Sequence, residues 1–89
     1  MERSVRILVQ GKVQGVYFRK HTQHQAKLHC LKGWVRNQTD GSVLIEVLGD
    51  QLAVGSFIEW CRQGSPAADV QAVQVEDIPP FSASEFEIR

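Results

Sequence analysis

The order of apolar periods in this chain predicts an α+β sandwich: a mainly antiparallel sheet of four or five strands with two helices on one face. Three observations carry that expectation. Apolar residues alternate with period two in several short windows, and they recur at helical spacing in two others. The windows follow one another as β-α-β-β-α-β with a further short strand at the end. The chain has 89 residues, the size of one small domain with one core, so residues 1–89 are expected to form a single domain.

Each element has its own signal. Val5, Ile7 and Val9 alternate with Arg6, Leu8 and Gln10, which predicts a first strand with one buried face, ended by Gly11. From Phe18 to about Cys30, the positions Phe18, Thr22, Ala26 and His29 fall on one helical face, with Lys20, Gln23 and Lys27 on the other. This predicts a helix with an unusually polar face. "GWVRN" at 33–37 and "SVLIEVLG" at 42–49 read as strands, and "QTDG" supplies the Asp-Gly pair of a tight hairpin. In the second of these strands Val43, Ile45 and Val47 share a face. Val54, Phe57, Ile58 and Cys61 follow the i, i+3, i+4, i+7 pattern of a core-facing helix that Gly64 and Pro66 end. Val70, Val73 and Val75 suggest a strand with a bulge where the alternation shifts. After the connecting loop "PPFSAS", Phe86 and Ile88 in "EFEIR" are in phase for a short edge strand. Right-handed crossovers make the first two strands parallel, with the third antiparallel, and the closed solution is ferredoxin-like.

Composition narrows the partners. Hydrophobic residues make up 43%, and ten Lys plus Arg balance ten Asp plus Glu. Nucleic-acid binders normally need a basic excess to meet phosphates, so no nucleic-acid partner is expected. The N-terminus lacks the apolar core of a signal peptide and no window reaches transmembrane length, so a cytoplasmic protein without a membrane partner is the default. Monomer is the default for this size and charge. Cys30 and Cys61 are too few for a disulfide framework and are expected as reduced thiols.

One junction stands out. In "VQGVYFR", residues 13–19, an arginine opens a helix, where the positive end of the backbone dipole disfavours a cation. An anion between the two resolves the conflict. Gly11 and Gly15 can take left-handed geometry, so successive N–H groups of the loop can converge on one point suited to phosphate or carboxylate. Arg19 would add a planar fork for two oxygens of a tetrahedral anion. By spacing alone the same residues also suit a plain surface turn. The parallel first and second strands bring Asn37 to the same sheet edge, and with one strand between them the two backbones would be roughly 10 Å apart.

"GKVQGVYFRK" followed by "GWVRNQTDGSV" resembles the acylphosphatase signature, a GxVQGVxFR loop and a GWVxNxxDGxV strand and turn, and the other elements fit that family along nearly the whole chain. The resemblance implies a metal-independent enzyme without a cofactor that hydrolyses the carboxyl–phosphate bond of acyl phosphates and releases inorganic phosphate. It implies that Arg19 binds the phosphoryl group together with loop amides, assigned to Gln14, Gly15, Val16, Tyr17, Phe18 and Arg19. It implies that Asn37 positions the attacking water. The side chains of Val13 and Phe18 are expected to pack, Tyr17 to wall the pocket or cover the helix, and Thr39 to serve the turn. The family's glycine at the end of the first helix is replaced here by Cys30, which predicts local strain of roughly 1 kcal/mol or a different helix end. His29 beside it is expected to be partly buried and hydrogen-bonded. Only His21 and His24 share a helical face, so no metal site is expected. A non-catalytic anion-binding module is the competing class, which the presence of both Arg19 and Asn37 disfavours.

Overall fold

The computed structural model describes every residue, Met1–Arg89. The elements are β1 (Glu2–Lys12), α1 (Phe18–Leu28), β2 (Lys32–Asn37), β3 (Val43–Asp50), α2 (Gln51–Gln63), β4 (Asp69–Asp77) and β5 (Phe86–Ile88). They form one five-stranded sheet of order β4-β1-β3-β2-β5. β1 is antiparallel to β3 and β4, β2 is antiparallel to β3, and β5 joins β2 in parallel. β3 therefore separates β1 from β2 and, being antiparallel to both, leaves those two parallel.

The period-two pattern fixes the register. Val5, Ile7 and Val9 lie opposite Val47, Ile45 and Val43, and all six are fully buried. A one-residue slip would expose the whole set. Phe18, Thr22 and Ala26 of α1 and Val54, Phe57, Ile58 and Cys61 of α2 are the buried positions of the two helices. Phe18 meets Trp60 with ring centroids 5.5 Å apart, and Phe57 meets Phe86 at 6.2 Å, edge on. The one hydroxyl on the buried face of α1, Thr22, donates to the Phe18 carbonyl at 2.7 Å, which satisfies it within the helix. Asp50 caps α2, accepting from the N–H groups of Leu52 and Ala53 at 3.1 and 3.4 Å. No helix is long and apolar enough to cross a membrane.

Three local features differ from the sequence expectation. β1 does not stop at Gly11 but continues to Lys12 past a register shift, with Gln71 of β4 as the extra residue. Gly11, at φ 129°, lets the Asp69 backbone come so close that a Cβ would overlap its carbonyl oxygen. Gly11 thus serves the β1–β4 pairing and not an anion loop. The β2–β3 turn is not a two-residue Asp-Gly turn, since Asp40 has no positive φ. Its bonds run from the Gln38 N–H to the Ser42 carbonyl at 2.8 Å and from the Gly41 N–H to the Gln38 carbonyl at 3.2 Å, and Gly41 has φ 94°. That is a three-residue loop built on a type I turn. Asp40 instead accepts from the Ser42 hydroxyl and, at 2.9 Å, from the Ser42 N–H, which hold its carboxyl below the usual range.

α1 ends at Leu28, two residues short of Cys30. Cys30 takes the left-handed conformation at φ 57°, where its N–H reaches the Lys27 carbonyl at 3.1 Å and the Leu31 N–H reaches that of Ala26 at 2.8 Å. These are the two bonds of a Schellman cap, with Leu31 and Ala26 both buried beneath it. A cysteine in this geometry carries about 1 kcal/mol of strain that glycine would not. His29 is half-buried, but its ring has no hydrogen-bond partner in the protein, contrary to expectation, because the cap is closed by backbone groups alone.

Candidate active site

The segment between β1 and α1 is pinned from three sides. Val13 and Val16 are buried in the core. The Ser65 hydroxyl, itself buried, donates to the Val16 carbonyl at 3.2 Å. The Gln14 carboxamide donates to the carbonyls of Gln38 and Ser42 at 2.7 and 2.9 Å, which ties the loop to the β2–β3 hairpin. Between these anchors Gly15 has φ 74° with open space where a Cβ would sit, and Tyr17 has φ 57° and ψ 23°. A left-handed tyrosine is uncommon, and such strain persists only where the surroundings fix it.

The consequence is a row of free donors. None of the seven N–H groups from Gln14 to Lys20 has an acceptor in the protein: α1 has no side-chain cap, and its first intrahelical partner belongs to His21, which reaches the Tyr17 carbonyl at 3.1 Å. Beside them opens a hollow of about 410 Å3. The loop and first turn of α1 line it with Val13, Gly15, Tyr17, Phe18, Arg19 and Lys20; β2 contributes Asn37 and β5 contributes Ile88.

Arg19 is distinguished by its lack of a partner. Arg3, Arg6, Arg62 and Arg89 each pair with a carboxylate, and Arg36 sits over the Trp34 ring at 5.2 Å. Arg19 has neither kind of contact and opens into the hollow. Across from it, the side-chain oxygen of Asn37 is buried and has no hydrogen-bond partner in the protein. Asn37 thus brings to the wall of the hollow an amide whose oxygen no group of the protein engages.

Of the residues singled out from sequence, Gly15, Tyr17, Phe18, Arg19 and Asn37 meet at this hollow, while Gln14 and Val16 do not line it. The Gln14 side chain is a brace to the hairpin and that of Val16 is a core anchor. Phe18 packs as expected. Tyr17 is 77% exposed and stands at the rim. Thr39 is exposed and its hydroxyl makes no hydrogen bond, in keeping with a turn role. Lys20 and Ile88 went unassigned. Lys20 could have been found as the next cation in the same helical turn; Ile88 depends on the pairing of β5 with β2, for which the sequence has no local signal. Cys61 is buried, which pushes its thiol up, and Cys30 is exposed; neither is bridged. No three or more His, Cys, Asp or Glu side chains gather where they could share a metal ion.

Replacing Gln14 by Ala removes both bonds of the brace. Each carbonyl keeps one backbone partner, so the expected loss of stability is about 1–2 kcal/mol, measured by urea unfolding. The site should loosen as well, because the brace joins the loop that leads into α1 and Arg19 to the hairpin that carries Asn37.

A hollow lined by an unpaired guanidinium beside free N–H groups, at the shared end of two parallel strands of an α+β sandwich, defines the class of molecule. The particular family follows from comparison. The acylphosphatase family model matches residues 5–88. An acylphosphatase of Anaeromyxobacter dehalogenans is 47% identical over 85 residues, 94% of this chain and 91% of that protein. An acylphosphatase structure from Coxiella burnetii superposes with a TM-score of 0.96 at 35% identity, covering 99% of this chain and 93% of that one. The acylphosphatase from Bacillus subtilis gives 0.94 at 38% identity, covering 100% and 99%. The chain belongs to the acylphosphatase family and is, with it, a hydrolase.

Proposed function

We propose that the chain hydrolyses the carboxyl–phosphate bond of acyl phosphates, without a metal or other cofactor, with Arg19 and Asn37 as its catalytic residues. The observation that carries the reading is the meeting of an unpartnered guanidinium and an orphaned amide oxygen at one hollow, beside a row of free N–H groups. The phosphoryl oxygens are held by amides of the segment Gln14 to Arg19, centred on Gly15 and Val16, and by the Arg19 fork. Phosphoryl transfer through a loose transition state spreads charge over the equatorial oxygens, so donors already in place supply most of the stabilisation.

Asn37 accepts a hydrogen bond from the attacking water and aligns its free electron pair with phosphorus. An amide is no base. The proton of the water passes to a phosphoryl oxygen of the substrate while the new P–O bond forms and the bond to the acyl oxygen breaks. The carboxylate departs as a stable anion and needs no proton. A phosphate ester differs, because its alkoxide or phenoxide leaves far better when protonated, and no histidine or carboxyl group lines the hollow to act as the acid.

The test is the release of benzoate and phosphate from benzoyl phosphate by the purified protein in excess chelator, beside phenyl phosphate at equal concentration. The expected result is rapid turnover of the anhydride that is indifferent to chelator, with turnover of the ester at least about a hundredfold slower, since general-acid catalysis is worth 10²–10⁴. Loss of activity on chelation, or parity between the two substrates, contradicts the reading.

A further inference from the structure

We infer that the acyl phosphate this site prefers carries a second anionic group at its acyl end, received by the exposed face of α1; the inference rests on the acylphosphatase reading above. A second hollow, of about 510 Å3, lies on that face and shares Tyr17 and Lys20 with the first, so the two meet around the tyrosine. Its other lining includes His21, His24 and Lys27. Tyr17, Lys20, His24 and Lys27 recur at i, i+3, i+7 and i+10, one stripe of the helix. At 1.5 Å rise per residue, His24 stands about 6 Å and Lys27 about 10 Å beyond Lys20 along the axis.

This stripe is out of balance with the rest of the chain. Acidic and basic residues are equal in number overall, yet α1 contains no acidic residue, and neither Lys20 nor Lys27 forms a salt bridge. Gln23, the remaining polar residue of the groove, is already engaged, donating to the Phe86 carbonyl at 3.0 Å. The phosphoryl chemistry requires only Arg19, the loop amides and Asn37, so Lys27 and His24 have no part in it. A neutral acyl group could lie on the Tyr17 ring but would gain nothing from cations one and two turns further on. A carboxylate or phosphate at the far end of a short acyl chain would. The exposure of these side chains sets the scale, because solvent-exposed charge pairs are individually weak and screened by salt.

The experiment is calorimetric titration of benzylphosphonate and its para-carboxylate, para-phosphonomethyl and para-carboxamide derivatives, at low ionic strength, into the wild type and a His24→Gln/Lys27→Gln variant. Both substitutions lie on an exposed helix face and leave the core intact. The expected result is that an anionic derivative binds the wild type about fivefold more tightly than the carboxamide. That gain disappears in the variant, while benzylphosphonate binds both proteins alike. A gain confined to one of the two anions supports the inference and identifies the group. Equal affinities for anionic and carboxamide probes, or a gain that survives the double substitution, overturn it. The readout is a ratio of affinities that needs no turnover. Benzoyl phosphate hydrolysis, run on the same samples, tests the acylphosphatase reading separately and can fail without moving the ratio.

Discussion

Arg19→Ala is expected to weaken binding of inorganic phosphate by about a hundredfold or more, and to lower kcat/KM for benzoyl phosphate by at least the same factor. Hydrogen bonds to charged groups are each worth about 1.5–3 kcal/mol, and a bidentate guanidinium makes two at once. Folding should be nearly unaffected, because Arg19 has no protein partner to lose and replaces no packing in the core. The combination discriminates between roles: an arginine that merely closed a surface turn would leave phosphate affinity untouched. Arg19→Lys keeps the charge but not the planar fork, so it should recover only a minor part of the affinity. Phosphate titration by calorimetry, with thermal unfolding of each variant, reads both quantities. Unchanged affinity in a folded Arg19→Ala protein would remove the arginine from the site.

How much of this was legible in the sequence depends on how far apart the interacting residues lie. The β1–β3 register follows from two alternating valine and isoleucine runs, and the parallel β1 and β2 of the expected sandwich bring Arg19 and Asn37 to one edge; that β3 lies between them is given by the sheet order. Arg19 announced itself by sitting on the wrong end of a helix dipole, a conflict within a single turn of chain. The resemblance to the family marked Cys30 as standing where a cap glycine is usual, and its left-handed φ and the Schellman bonds agree.

What stayed hidden was set by partners remote in sequence. Gln14 looked like another loop amide, but its carboxamide spans 24 and 28 residues to reach the hairpin carbonyls. The shift between Val70 and Val73 marks the bulge on β4, but that it lets β1 run past Gly11 to Lys12 depends on the pairing of the two strands. His29 was expected to bond because half-buried polar rings usually do, yet the backbone cap had already used the nearby groups. Ile88 enters the hollow only through the parallel pairing of β5 with β2. In each case local periodicity identified the element, and a long-range contact decided what the residue does there.

Asn37→Ala should separate turnover from binding and, unusually for a catalytic substitution, should not weaken the fold. With the water no longer aligned, kcat for benzoyl phosphate is expected to fall by about a hundredfold to a thousandfold, the range found when a single positioned hydrogen-bonding group is removed from an active site. Phosphate affinity should stay within about twofold, since Arg19 and the loop amides remain. The side-chain oxygen has no partner in the protein, so its removal breaks no hydrogen bond of the fold, and the variant should unfold at a urea concentration close to that of the wild type. Asn37→Asp is the informative companion: it retains an oxygen at the same place but sets a negative charge beside the phosphoryl group, and should lose both turnover and phosphate affinity. An asparagine that only shaped the hairpin would give the opposite pattern for Ala, a destabilised protein with kcat largely kept.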